Sequence, residues 1–273
     1  MAKSEWRMAK SGFGCAGRDK DLYSLSRMRV IVIIPAAGLG TRMASARNGL
    51  KGPSKQFYEL DGTPILIHTL RKFARCETVS EIVVALRRSE MPDFQKLLDQ
   101  ERFAKPVRVV EGGEHRQNSV ANALAAVQGA DEDIVLVHDA VRPFVDEETI
   151  LGVIAGVTKY GAAIAGVPAI DTVKQVDRTA DGAVVLATVP RERMVMAQTP
   201  QGFRFGLLKK AFEDAAADEF LGTDEASLIE RSGGEVHVVM GSPRNMKITT
   251  PADLELAEFF LAQEHHRKVS VSG

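Results

Sequence analysis

Val30-Ile31-Val32-Ile33-Ile34-Pro35 runs directly into Ala36-Ala37-Gly38-Leu39-Gly40-Thr41-Arg42-Met43. Five apolar, mostly β-branched residues ending at a proline read as a short strand buried on both faces. Ligands of open α/β sheets sit at the carboxyl ends of the strands, so the loop that follows is where a nucleotide is expected. Its small residues let backbone approach a base or a phosphate, and exposed N–H groups there can bind phosphate oxygens. The spacing is not a dinucleotide fingerprint, whose third glycine would fall at Met43, nor a P-loop, which needs Gly-Lys-Ser/Thr.

Working outward, similar apolar runs recur at 82–86, 107–110, 134–137, 162–167 and 236–240, and helical patterns lie at 65–74, 91–101, 119–127 and 147–160. Alternation of strand and helix predicts an α/β, Rossmann-like fold: a mostly parallel sheet with helices on both faces. One stretch breaks the pattern. Residues 172–176 and 184–189 alternate polar and apolar around Asp181-Gly182, which predicts an inserted β-hairpin, an arm spanning about 169–198. A lone hairpin is marginal in water and needs a surface to pack on, for which a partner subunit is one candidate. Thr250, Pro251 and Asp253 open a last helix, with Leu254, Ala257 and Leu261 as its apolar stripe and fraying expected from Gln263. The expected organisation is a single domain over 29–264, a tail over 265–273, and a disordered extension over 1–28. That extension is rich in basic residues and broken by Gly12, Gly14 and Gly17, with no signal-peptide core.

Composition narrows the class. A formal net charge of −1, with 45% hydrophobic and 26% charged residues, gives no global reason for nucleic-acid or membrane binding. Cys15 and Cys76 form no Cys-x-x-Cys spacing, and no Cys/His cluster suggests zinc, so a reducing, cytoplasmic setting is expected. Arg42 in the loop and Lys55-Gln56 beyond it supply cations of the kind that neutralise charge on a triphosphate during displacement.

Those pieces form part of a longer ordered set: Gly112-Gly113-Glu114-His115-Arg116 with Ser119, His138-Asp139-Ala140-Val141-Arg142-Pro143, Asp171-Thr172-Val173-Lys174, Thr199-Pro200-Gln201, Thr223-Asp224-Glu225-Ala226-Ser227 and Asn245-Met246-Lys247. Taken together from about Arg29 to Leu261, they resemble the cytidylyltransferase branch of the α/β nucleotidyltransferases. The resemblance implies transfer of CMP from CTP to a small sugar-alcohol phosphate, with release of pyrophosphate. Two motifs, Pro35-Ala36-Ala37-Gly38 and Thr223-Asp224-Glu225-Ala226-Ser227, resemble the methylerythritol phosphate branch more than the ribitol 5-phosphate branch. An NAD-dependent oxidoreductase is disfavoured by Met43, and a non-catalytic nucleotide-binding protein would not need the three cations named next.

By the same resemblance, Arg42, Lys55 and Lys247 are the catalytic cations. Ala36, Ala37, Gly38, Gly113, Glu114, Arg116, Ser119, Asp139 and Ala140 are expected to bind CTP. Asp139, Arg142, Thr172, Arg191, Thr199, Thr223 and Lys247 are expected to bind the acceptor, with Thr172 and Arg191 reaching it from the partner chain of a homodimer. Mg²⁺ is implied, held mainly by phosphates and water with Asp139 as one possible ligand. This chain departs from the family pattern between Met43 and Lys55, where the loop is longer and Ser54 replaces the usual proline. Lys51 is thereby a rival to Lys55, which is preferred because Gln56 and Phe57 follow it.

Overall fold

The computed structural model describes residues 28–38 and 54–271, with side chains through Glu264. The expectations for residues 1–27, Arg42 and Lys51 lie outside the described residues. Strands are β1 (Val30–Pro35), β2 (Glu59–Leu60), β3 (Thr63–Pro64), β4 (Glu81–Leu86), β5 (Val107–Glu111), β6 (Ile134–Val137), β7 (Ala162–Pro168), β8 (Val173–Thr179), β9 (Gly182–Val189), β10 (Val195–Arg204) and β11 (His237–Met240). Helices are α1 (Ile65–Arg75), α2 (Met91–Gln100), α3 (Arg116–Ala125), α4 (Glu147–Tyr160), α5 (Phe205–Ala217), α6 (Glu225–Arg231) and α7 (Pro251–Val271).

Seven strands form one sheet in the order β11-β7-β10-β6-β1-β4-β5. It is parallel throughout except for β10, which runs antiparallel to both β6 and β7. Period-two alternation sorts β1 onto two cores: Val30, Val32 and Ile34 face one cluster, Ile31 and Ile33 the other. Helices α1, α2 and α4 cover the first face, and α3, α5 and α6 cover the second. A smaller cluster joins Leu60, Ile65, Val141, Phe144 and Ile248 to Ala257 and Leu261 of α7.

Chain order places the site. From β1 the chain steps outward to β4 and β5, then returns to lay β6 on the other side of β1. The crevice between the ends of β1 and β6 is therefore the switch point of the sheet, where ligands of open α/β folds bind.

Several local expectations need correction. α3 starts at Arg116 rather than 119, because His115 and Asn118 cap it through a reciprocal capping box. Thr250 caps α7 as expected, its hydroxyl oxygen accepting the Asp253 N–H while the Asp253 carboxylate accepts the Thr250 N–H, but the helix continues past Gln263 to Val271. The sheet resumes at Val195, which pairs with Pro168, so the last residues of the span expected for the arm belong to the β7–β10 ladder. The reading passed over β10 and α5, and of α6 it expected only the start, at Thr223. β10 holds polar Gln198, Thr199 and Gln201 where a buried strand is expected to be apolar, and these serve the site instead. It also missed the hairpin of β2 and β3, whose Asp61-Gly62 turn has positive φ at both residues, as a two-residue type I′ loop requires. The arm itself is an antiparallel pair, β8 with β9, whose Val184, Val185 and Leu186 are exposed in this single chain.

Candidate active site

A cavity of about 180 Å³ opens at the switch point. Its walls are residues 35–38 from the exit of β1, Lys55 and Gln56, residues 113–116 with Ser119 at the start of α3, residues 139–141 after β6, and Lys247. These segments can approach closely because Gly112, just after β5, has no side chain: a Cβ there would lie 2.5 Å from that of Ala37. The Gly113 turn is fixed by Ser119, whose hydroxyl oxygen accepts the Gly113 N–H at 3.1 Å.

Asp139 is the electrostatic centre. It is buried, yet three cations surround its carboxylate: Arg116 Nε at 3.4 Å, Arg142 Nε at 3.2 Å and Lys247 Nζ at 3.0 Å. Burial alone would raise its pKa, but Arg116, Lys247 and Arg142 hold it far below the usual carboxylate range. Arg116 also bonds the buried Glu225 of α6 at 2.6 and 2.9 Å. Burial works against the Arg116 charge, but Glu225 and Asp139 outweigh it and raise its pKa. The same burial raises the pKa of Glu225 against the pull of Arg116. The two directions compete, and contact at 2.6 Å with a guanidinium that stays charged decides for an ionised Glu225 at neutral pH. Three cations against Asp139 and Glu225 leave this cluster one unit positive beside the cavity.

Behind Asp139 lies a directional hydrogen-bond chain. The Asp139 N–H donates to Thr199 Oγ1 at 3.0 Å, and Thr199 Oγ1 lies 3.0 Å from His138 Nδ1. His138 Nε2 lies 3.1 Å from the Arg142 carbonyl, which can only accept. Nε2 therefore carries the proton, and Nδ1 receives the Thr199 hydroxyl. His138 is fully buried against Phe73, and that burial lowers its pKa to about 4 despite the carbonyl bond. Asn245 closes the arrangement: its Nδ2 donates to the Thr199 carbonyl at 2.7 Å, and its own carbonyl accepts from Arg142 at 2.7 Å.

Most of the expected nucleotide residues thus meet on one wall: Ala36, Ala37, Gly38, Gly113, Glu114, Arg116, Ser119, Asp139 and Ala140, with Lys55 and Lys247. Arg142 and Thr199 lie buried behind Asp139 instead. Thr223, Thr172 and Arg191 are exposed and do not line this cavity. Thr223 precedes α6 but does not cap it, since Asp224 does so by accepting the Ser227 N–H. Arg191, at the base of the arm, donates to the Ile170 carbonyl. Glu225 and Asn245 were quoted within motifs but not singled out, because nothing in a linear sequence says which polar residue will be buried against which cation. Among the described residues no group of three His, Cys, Asp or Glu side chains is placed to hold a metal ion. Both oxygens of Asp139 already face cations, so it does not fit as a resident metal ligand.

Comparison with known proteins agrees with this geometry. The family model described as IspD, 2-C-methyl-D-erythritol 4-phosphate cytidylyltransferase, matches residues 30–263. A protein of that name from Acidobacterium capsulatum is 58% identical over 240 residues, covering 88% of this chain and 100% of its own. One from Solibacter usitatus is 52% identical over 241 residues, covering 88% and 98%. Among solved structures, a 4-diphosphocytidyl-2C-methyl-D-erythritol synthase from Anaerococcus prevotii superposes with a TM-score of 0.74 at 31% identity, covering 88% and 99%. The Francisella tularensis 2-C-methyl-D-erythritol 4-phosphate cytidylyltransferase gives 0.71 at 37%, covering 85% and 99%.

Proposed function

The chain belongs to the 2-C-methyl-D-erythritol 4-phosphate cytidylyltransferase family, and on that premise we propose how its residues divide the reaction. The enzyme transfers CMP from CTP to 2-C-methyl-D-erythritol 4-phosphate in non-mevalonate isoprenoid biosynthesis, giving 4-diphosphocytidyl-2-C-methyl-D-erythritol and pyrophosphate. CTP lies along Ala36, Ala37 and Gly38, with its base and ribose against Gly113, Glu114 and Ser119. The attacking phosphate oxygen is already ionised at neutral pH, so no general base is needed. His138 has no free nitrogen to offer as one.

Catalysis is then alignment plus charge stabilisation at the α-phosphorus. Lys55, Lys247 and Arg42 meet the triphosphate, while Asp139 holds Lys247 and Arg116 at the cavity wall. Mg²⁺, when bound, would be held mainly by phosphate oxygens and water and would supply charge neutralisation there, with no ligand from Asp139. Arg142, Thr199 and Thr223 serve the acceptor side, with Arg142 and Thr199 acting by bracing Asp139. The acceptor site is completed by Thr172 and Arg191 of a second copy in a homodimer, a reading supported by the exposed apolar residues of the arm. No described helix is long and apolar enough to cross a membrane, and we place the enzyme in the cytoplasm.

The observation that carries this assignment is the cation cluster on Asp139 opening onto the loop after β1. Purified protein given CTP, Mg²⁺ and 2-C-methyl-D-erythritol 4-phosphate releases pyrophosphate, and does so with higher kcat/KM than with ribitol 5-phosphate. No release, or the reverse preference, defeats it. Lys55→Ala lowers kcat on the order of 10²-fold, the scale of losing a cation aimed at developing charge. Lys51→Ala leaves turnover near normal, and the opposite pattern reverses the choice of lysine.

A further inference from the structure

Ala37, just beyond β1, and Ser54, which adjoins Lys55, are both bonded by one short segment beyond β4. Arg87 follows the last residue of β4. Its guanidinium forks: Nε donates to the Ala37 carbonyl at 2.8 Å, and Nη2 donates to Ser54 Oγ at 3.2 Å. The Ser54 hydroxyl in turn donates to Glu90 Oε1. One hydroxyl thus accepts from a cation and donates to an anion, the arrangement that uses its single proton and a lone pair in one direction. Gln56, almost fully buried, adds a parallel tie by donating to the Ala36 carbonyl. Arg87 and Glu90 do not line the cavity, although Ala36, Ala37, Lys55 and Gln56 all do.

We infer that Arg87, Ser54 and Glu90 form a latch that sets Lys55 in register with the backbone of Ala36 and Ala37, making Arg87 and Glu90 positioning residues for CTP. The inference rests on Lys55 serving the triphosphate. The two walls it joins come from residues 36–37 and 54–56, separated by a long intervening segment, so chain connectivity alone sets their spacing poorly. A planar fork fixes two acceptors at once, which a single-point donor does less well. The second oxygen of Glu90 is buried with no hydrogen-bond partner among the described residues. The carboxylate is thus positioned chiefly by the Ser54 hydroxyl, and loss of that hydroxyl strands it.

The test is a double-mutant cycle on Arg87→Met and Ser54→Ala, read as steady-state kinetics of pyrophosphate release with CTP varied at saturating acceptor, then with the acceptor varied. Each single change lowers kcat/KM for CTP about tenfold, and the double variant loses no more than either single one, as partners in one network do. KM for the acceptor stays within about twofold of wild type. Glu90→Gln, which keeps an acceptor oxygen at the same reach, shows a smaller loss and serves if Arg87→Met fails to fold. Multiplicative losses in the double variant, a defect in acceptor KM of the same size, or unchanged kinetics in the single variants overturns the latch. A Lys55→Ala variant that keeps full turnover sinks the underlying assignment of Lys55 instead, so the two failures are told apart.

Discussion

His138 makes a quantitative demand on the pH dependence of stability. In the unfolded chain an imidazole titrates near 6.5, whereas burial lowers the folded value of His138 to about 4. Between those values the unfolded chain binds the extra proton, so stability falls as the pH falls through this window and is fully present above it. Integrating the difference from pH 7 to pH 5 gives a loss of about 2 kcal/mol from this residue alone. At roughly 2–4 °C per kcal/mol for a chain of this size, that is a drop in Tm of about 4–8 °C. Other groups titrate in the same range. His68, half-buried, is also lowered chiefly by burial, and the raised Glu225 acts in the opposite direction. The measurement is therefore a difference, with urea or thermal unfolding of wild type and His138→Gln compared at pH 7, 6 and 5. Gln donates to the Arg142 carbonyl without titrating, so the variant is less stable at pH 7 and the gap closes by about 2 kcal/mol at pH 5. A gap independent of pH would refute the neutral, Nε2-protonated His138 described above.

Asp139→Asn removes the charge that three cations share. Breaking a buried pair costs ~3–5 kcal/mol, and partial exposure of Arg116 and Lys247 puts this case at about 3, visible as a lowered denaturation midpoint together with loss of turnover. Mixing Arg191→Ala and Lys55→Ala protomers restores up to roughly a quarter of wild-type activity after subunit exchange, because half of a random mixture is heterodimer and one of its two sites carries neither change. No recovery after verified exchange places both residues in the same chain's site or makes Arg191 purely structural.

Legibility in the sequence followed how local the signal was. The run 30–34 announced β1 because a strand buried on both faces is apolar at every position. Asp181-Gly182 announced the arm, though the two residues between the paired Thr179 and Gly182 are Ala180 and Asp181, and Gly182 opens β9 with φ of 145°. The wall of the cavity was expected from the family resemblance that the ordered motifs carry, and each motif contributes a short stretch to it. What could not be read were long-range partnerships. Glu225 meets Arg116 from 109 residues away, and Asn245 meets Arg142 from 103. β10 escaped notice for a related reason: its polar residues are satisfied by His138, Asp139, Asp224 and Ser242, none of them its neighbours in the chain.

The sheet order has a consequence for the sequence of events at the ribosome. β6-β1-β4-β5 form one contiguous block built from residues 30–137, and β11-β7-β10 form a second built from 162–240. Within the sheet the two blocks are joined along the antiparallel seam of β10 and β6. A nascent chain can pair the first block strand by strand as it emerges, in keeping with folding that proceeds from the N-terminal side. Asp139 hangs from that first block, yet Thr199 and Lys247 reach it only after the seam has closed and nearly the whole chain has been made. A truncated product therefore displays a half-sheet with an unpaired edge at β6 and an Asp139 that lacks Thr199 and Lys247. Such a chain is inactive and carries exposed strand edge of the kind on which quality control and aggregation both act.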